Sequence, residues 1–143
     1  MRLFGPIRPM EARSLAGPVV DVEVAPGTEL VHEGTVIGTF FVIRSGTAVL
    51  LQGDYAVGAL LDGECFGEID PLSPEPQRYT VIAGSRLRLM TFSSFGITRL
   101  CDAMPGARQR LEDALPHGGA EIHPLPRTPV PTATGAPVGA GAV

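Results

Sequence analysis

The chain has no lysine. Its eleven positive side chains are all arginines, scattered without a basic run, against fifteen Asp and Glu and a formal net charge of −4. Non-specific nucleic-acid binding draws on Lys and Arg that neutralise phosphates, and this balance offers little of it. The lack of lysine amid abundant Ala, Gly and Pro reads as base composition rather than function. Also missing is any run of about 18 apolar residues, the length a membrane-spanning helix needs. The opening MRLFGPIRPMEARSLAG lacks the charged-then-apolar order of a secretory signal and holds two prolines. The expectation is therefore a cytoplasmic protein with no membrane insertion. Cysteine is scarce: Cys65 (GECFG) and Cys101 (TRLCDAM) show no CxxC or metal-ligand spacing and read as small buried hydrophobes, not redox sensors. What remains is 143 residues, 44% hydrophobic, enough for one domain with a real core.

Most of that length reads as short β segments punctuated by turns. PVVDVEVA (18–25) alternates and ends at Pro26-Gly27; TELV follows, then Glu33-Gly34. TFFVIRS (39–45) and GTAVLLQ (46–52) meet at Ser45-Gly46, a hairpin signal of the small-residue kind. Gly53-Asp54 leads into YAVGALL (55–61), and QRYTVIA (77–83) and SRLRLMTF (85–92) are expected to pair across Gly84. In SRLRLMTF, Leu87 and Leu89 face one way and Arg86 and Arg88 the other, as in a half-buried strand. Many short strands at regular spacing predict a mainly β jelly-roll barrel. The pattern then turns helical. Ser93 or Ser94 can cap a helix bearing Phe95, Ile97, Leu100, Cys101 and Met104, and Pro105 can open a second, GARQRLEDAL, stopped by Pro116.

Residues 117–143 hold ten Gly and Pro and no aromatic residue, so they are expected to be a disordered or polyproline II tail. HPLPRTPVP within it has the proline spacing of a ligand for an aromatic groove, although a plain disordered extension is the preferred reading. The expected organisation is thus a domain over residues 1–116 and a tail over 117–143.

The segment that carries chemistry is DGECFGEIDPLSPEPQRYTVIA (62–83). After a strand and a turn, Phe66-Gly67-Glu68 can begin a short helical turn ending near Leu72. Such a turn presents unpaired N–H groups that suit an anion. Gly67 permits close approach of the backbone, and Glu68 supplies an acceptor for a pair of sugar hydroxyls. Gln77 or Arg78 stands where the chain re-enters the barrel. A carboxylate, backbone amides and a guanidinium together make a nucleotide cradle.

This order of features resembles the cyclic-nucleotide-binding domain family, which includes catabolite-activator-type regulators, regulatory subunits of cyclic-AMP-dependent kinase and nucleotide-gated channels. LFGPIRPMEARSLA resembles its lead-in and PGTELVHEGTVIGTFFVIRSG its turn-rich core. GECFGEI resembles the start of its phosphate-binding cassette, TVIA the closing strand, and FSSFGITRLCDAMPGARQRLEDAL the helices after the barrel. The resemblance implies a cyclic mononucleotide, cAMP or cGMP, as the candidate ligand, held by Phe66, Gly67, Glu68, Ile69, Asp70, Gln77, Arg78 and Tyr79. Two positions depart from the family pattern. The arginine that pairs with the cyclic phosphate lies three residues before the position of Thr80, where this chain has Gln77, and Arg78 falls one residue later. Strand side chains alternate faces, so Arg78 points away unless a bulge turns it inward. Asp70 stands where a small apolar residue adjoins the phosphate, and its charge would repel the ligand.

Enzyme readings find no support. Cupin-like enzymes cluster metal ligands inside a similar barrel, whereas His32, before a turn, is the only histidine ahead of residue 117; no metal or other cofactor is expected. Ser93 and Ser94 lack a His or acidic partner, and Glu64 and Glu68 read as a solvated acidic pair. The helical pattern stops at Leu115, short of a recognition helix, so direct DNA binding is not expected. Two classes of function stay open: a stand-alone sensor that binds a cyclic nucleotide and signals to an unknown protein partner, or a degenerate copy that binds none and serves as an interaction module or accessory subunit.

Overall fold

The computed structural model describes residue 17, residues 19–70, 72, 75–116 and, chiefly as backbone, 123–129. The described residues form nine strands, β1 (Val19–Val24), β2 (Glu29–Val31), β3 (Thr39–Ser45), β4 (Ala48–Gln52), β5 (Tyr55–Leu60), β6 (Cys65–Gly67), β7 (Thr80–Ala83), β8 (Leu87–Ser93) and β9 (His123–Pro129). Two helices, α1 (Ser94–Ala103) and α2 (Ala107–Ala114), lie between β8 and β9. One sheet has the order β1-β8-β3-β6 and the other β2-β7-β4-β5-β9, and the described pairings are antiparallel. This is the mainly β jelly-roll architecture with short flanking helices that the strand spacing predicts. Among the described residues, no helix is long and apolar enough to cross a membrane.

The period-2 alternation explains two cores. Ile43, Leu50, Leu60, Phe66, Val81, Leu87 and Leu89 fill the space between the sheets. Phe40, Val42, Cys65, Met90 and Phe92 point from the opposite face of the first sheet toward Ile97, Leu100, Leu111 and Leu115 of the helical segment. That sheet is therefore buried on both faces where the helices cover it, while Asp21, Glu23, Arg44 and Arg88 leave the other end of its outer face exposed. The half-buried reading of SRLRLMTF holds only at its start, since Arg88 is exposed while Met90 and Phe92 are buried under the helices.

Two expected hairpins are corners instead. β3 pairs with β8 and β6, and β4 with β5 and β7, so Ser45-Gly46 carries the chain from one sheet to the other. Gly84 does the same between β7 and β8. The reason is local to both corners at once: Gly84 N donates to Thr47 O at 2.8 Å, and Thr47 N donates to Ser85 Oγ at 3.0 Å. Gly46 has φ +105°, and a Cβ there would collide with the carbonyl oxygen of Arg86, so the corners can pack this closely only around glycine.

The helices follow their signals. Ser93 caps α1 by accepting from Gly96 N at 2.9 Å, and Ile97, Leu100 and Cys101 are buried. Phe95, placed on the apolar stripe by the sequence, is instead 67% exposed. Cys65 and Cys101 are both free and buried. β9 corrects the tail. Its antiparallel register on β5 sets Tyr55 opposite Pro129, Ala56 opposite Thr128 and Ala59 opposite His123. Disorder was expected of this stretch because it has little to bury. β5 would otherwise end its sheet with unpaired N–H and C=O groups, and an edge is where a proline-bearing strand is tolerated. The rest of the expected tail, and the N-terminal lead-in, lie outside the described residues.

Candidate functional site

The cassette begins where β6 ends. Gly67 adopts φ +111°, and a Cβ there would strike the carbonyl oxygen of Thr39, so the chain can leave the sheet this tightly only at glycine. Glu68 N continues the ladder to Thr39 O at 2.9 Å. The Glu68 carboxylate then turns back into its own loop. Oε1 accepts from Asp70 N at 2.8 Å and Oε2 from Glu75 N at 3.0 Å, while Asp70 Oδ1 accepts from Leu72 N at 3.0 Å. Glu68 is 8% exposed, so it is not part of a solvated acidic pair. Glu64, half-buried, accepts instead from Leu61 N at 2.6 Å and lies 3.2 Å from His123 Nε2 of β9.

These bonds revise the expected anion cradle. Residues 68–70 form no helical turn. The three amides of Asp70, Leu72 and Glu75, which an anion would need, are taken by carboxylates of the loop itself. Ile69 is buried beneath the helices, and its carbonyl oxygen lies 2.7 Å from the Thr98 hydroxyl of α1, which also lies 2.8 Å from Ser94 O. The loop is thereby tied to α1.

At the other end of the cassette, Gln77 is held by its backbone: N donates to Thr35 O and O accepts from Gly34 N, both at 2.8 Å. Its side chain is buried, whereas Arg78 is exposed. Residues 78 and 79 form a bend, and β7 starts only at Thr80, whose Oγ1 accepts from Glu33 N at 2.9 Å. No inward bulge brings Arg78 to the cassette. Tyr79 packs against the core between the sheets, and Phe66 lies in that core stacked on Phe41, with ring centroids 4.7 Å apart.

A cavity of about 380 Å³ opens between this loop and α2, lined by Glu68, Ile69, Asp70, Glu75, Pro76 and Gln77 and, from the helical side, Gln109, Glu112, Asp113 and Leu115. Of the eight residues expected at a ligand, Glu68, Ile69, Asp70 and Gln77 line it. Phe66, Gly67, Arg78 and Tyr79 do not. Alternation puts Phe66 on the inner face, Gly67 has no side chain to offer, and the bend turns Arg78 to solvent. The short second helix is one of the elements the sequence offers as a cover for a ligand, but none of its residues was among those expected at the site. Gln109, Glu112 and Asp113 stand at i, i+3 and i+4 on one helix face. Gln109 Nε2 donates to Asp113 Oδ1 at 2.8 Å. The lining contains five carboxylates and, among the described residues, no cation. Arg108 of α2 is directed instead to Asp102, at 3.9 Å. No group of three or more His, Cys, Asp or Glu among the described residues is placed to hold a metal ion.

Comparison with known proteins agrees with this architecture. Residues 21–103 match the cyclic nucleotide-binding domain family. The cAMP-dependent protein kinase regulatory subunit of Hypocrea atroviridis is 27% identical over 124 residues, 86% of this chain and 27% of that protein. Its counterpart from Yarrowia lipolytica is 35% identical over 92 residues, 63% of this chain and 24% of that protein. The chain thus spans only 27% and 24% of the length of these relatives. Among solved structures, the C-linker/CNBHD of zELK channels, crystallised in the presence of cAMP, aligns with a TM-score of 0.64 at 19% identity, covering 81% of this chain and 62% of that one. PKAR CBD2 bound to Sp-2Cl-cAMPS aligns with a TM-score of 0.61 at 21% identity, covering 76% and 74%. At such identities the structural likeness carries the fold alone. The sequence match spans more than half of the chain, and with it the chain belongs to the cyclic nucleotide-binding domain family.

Proposed function

We propose that this chain is a regulatory, non-catalytic module whose cassette cavity takes no cyclic nucleotide and which acts by contact with a protein partner. The observation that carries this reading is the exchange at the cassette's end: Gln77 lines the cavity while Arg78 is exposed to solvent. A phosphate entering there would lack a guanidinium, and loss of one partner of a buried charged pair costs ~2–5 kcal/mol, roughly two to three orders of magnitude in affinity. It would also meet five carboxylates and find the loop amides already engaged. Support for a partner-facing role comes from the tie between α1 and the cassette through Thr98, because a contact on either element is transmitted to the other. Leu72 and Phe95, 88% and 67% exposed, offer large apolar side chains on those same two elements.

The relatives named above favour a second reading, a cAMP sensor, in which Glu68 holds the ribose. Calorimetric titration with cAMP and cGMP separates the two. The expected outcome is no heat of binding and no thermal stabilisation at millimolar nucleotide. The double variant Gln77→Arg with Asp70→Ala is expected to gain binding by about 2 kcal/mol or more, since it restores the guanidinium and removes a repelling charge. Tight cAMP binding by the unaltered chain would falsify the proposal.

A further inference from the structure

We infer that β9 is an exchangeable strand, and that two copies of this chain join by each laying its β9 on the other's β5. Whether a nucleotide enters the cassette does not bear on this. Among the described residues β9 ends its sheet and pairs with β5 alone. Prolines at 124, 126 and 129 leave only His123, Leu125, Arg127 and Thr128 with backbone N–H groups to donate. A register shift between Ala56 and Gly58 interrupts the ladder as well. An edge strand held by so few bonds lifts through a local opening, without parting the two sheets.

β5 still calls for a strand when β9 lifts. It is six residues long, free of proline, and has no other described strand on that side. The occupant that fits this edge is the sequence 123–129 itself. A second copy brings the same sequence in the same register, so the contacts of the closed monomer are remade in the pair. What exchange changes is only where β9 is tethered. From Leu115, just after α2, to His123 the chain reaches at most about 28 Å. A tether of that length gives an effective concentration on the order of millimolar, and the exchanged pair competes with the monomer as the protein approaches it.

Exchange also delivers a side chain. His123 Nε2 lies 3.2 Å from the carboxylate of Glu64, which accepts from Leu61 N at 2.6 Å and immediately precedes β6. In the joined pair the partner's His123 makes this contact. The second copy thereby reaches the turn from which the cassette strand starts.

The test mixes two variants of the full 143-residue chain, Ala59→Cys and His123→Cys, at about 1 mM and oxidises them with glutathione disulfide. Positions 59 and 123 are partners across the β5–β9 ladder and lie within disulfide reach, while Cys65 and Cys101 are buried. The expected result is a covalent dimer in the mixture, about tenfold more abundant than in either variant alone. Pro124→Cys in place of His123→Cys stands one residue out of register and is expected to give none. Tyr55→Cys mixed with Pro129→Cys repeats the test at the other end of the ladder, where Tyr55 is 38% exposed, so that a misfolded Ala59 variant does not decide the matter. Size-exclusion chromatography of the unaltered chain is expected to show a dimer that grows as concentration rises toward about 1 mM. A monomer at every concentration overturns the inference, as does a mixture that cross-links no better than the out-of-register control. A dimer of the unaltered chain whose paired variants fail to cross-link overturns it too, because the contact then lies on another surface.

Discussion

The Cys65 thiol lies in the core beneath the helices, and burial, reinforced by the neighbouring Glu64 charge, pushes it up to about 12 from 9.0. Burial also raises Cys101. The folded state holds both thiols neutral at pH values where the unfolded chain releases their protons. A raised folded pKa contributes stability that is whole below pH 9 and is lost as pH climbs toward 12. For Cys65 alone the loss at pH 10 relative to pH 8 is on the order of 1 kcal/mol. Urea unfolding of the parent and of Cys65→Ala at both pH values checks it, and the parent should lose more by that margin. Equal losses would mean that the thiol ionises in place. The sequence made this residue legible, because apolar neighbours on a strand imply burial. Gln77, which the family resemblance marks three residues before Thr80, lines the cavity. The sequence did not reveal that the Glu68 carboxylate closes on the amides of Asp70 and Glu75. That bond depends on the path of a loop with prolines at 71, 74 and 76, and such a path is set by what the loop packs on.

At the scale of elements, β3 keeps the bounds its alternating pattern implies, and β1, β5 and β8 fall within a residue or two of theirs. Partners were harder to read than elements. Ser45-Gly46 and Gly84 have the composition of hairpin turns, yet a corner between sheets needs the same residues, so local chemistry cannot separate the two. β9 was hidden for a related reason. Prolines at 124, 126 and 129 remove N–H donors, and only the free edge of β5 makes the stretch a strand. Ending the chain after Pro116 removes that cover. The shortened protein is expected to fold, lose about 1 kcal/mol, or roughly 4 °C in midpoint, and self-associate through β5 as its concentration rises. Light scattering against concentration reads this. A strictly monomeric truncated chain with an unaltered midpoint would show that β9 contributes nothing to the sheet.

For the molecule as a whole, the sequence conveyed the class of fold because the count and spacing of short strands constrain it. The double-sided burial of the first sheet was less visible, since a strand facing two cores alternates between Leu and Met or Phe without an obvious polar face. The two corners have a consequence for how the barrel opens. The Gly84 amide is bonded to Thr47 and the Thr47 amide to Ser85, so each crossing closes the other. Both bonds run between the two corners, so releasing either amide means separating one corner from the other. In native-state hydrogen exchange, both are expected among the slowest amides, with protection equal to the global unfolding free energy, while β9 exchanges through a shallow local opening. Exchange at Gly84 as fast as in β9 would separate the corners. Slow exchange makes that seam the place where the cooperativity of the barrel is measured, one amide on each side of the join.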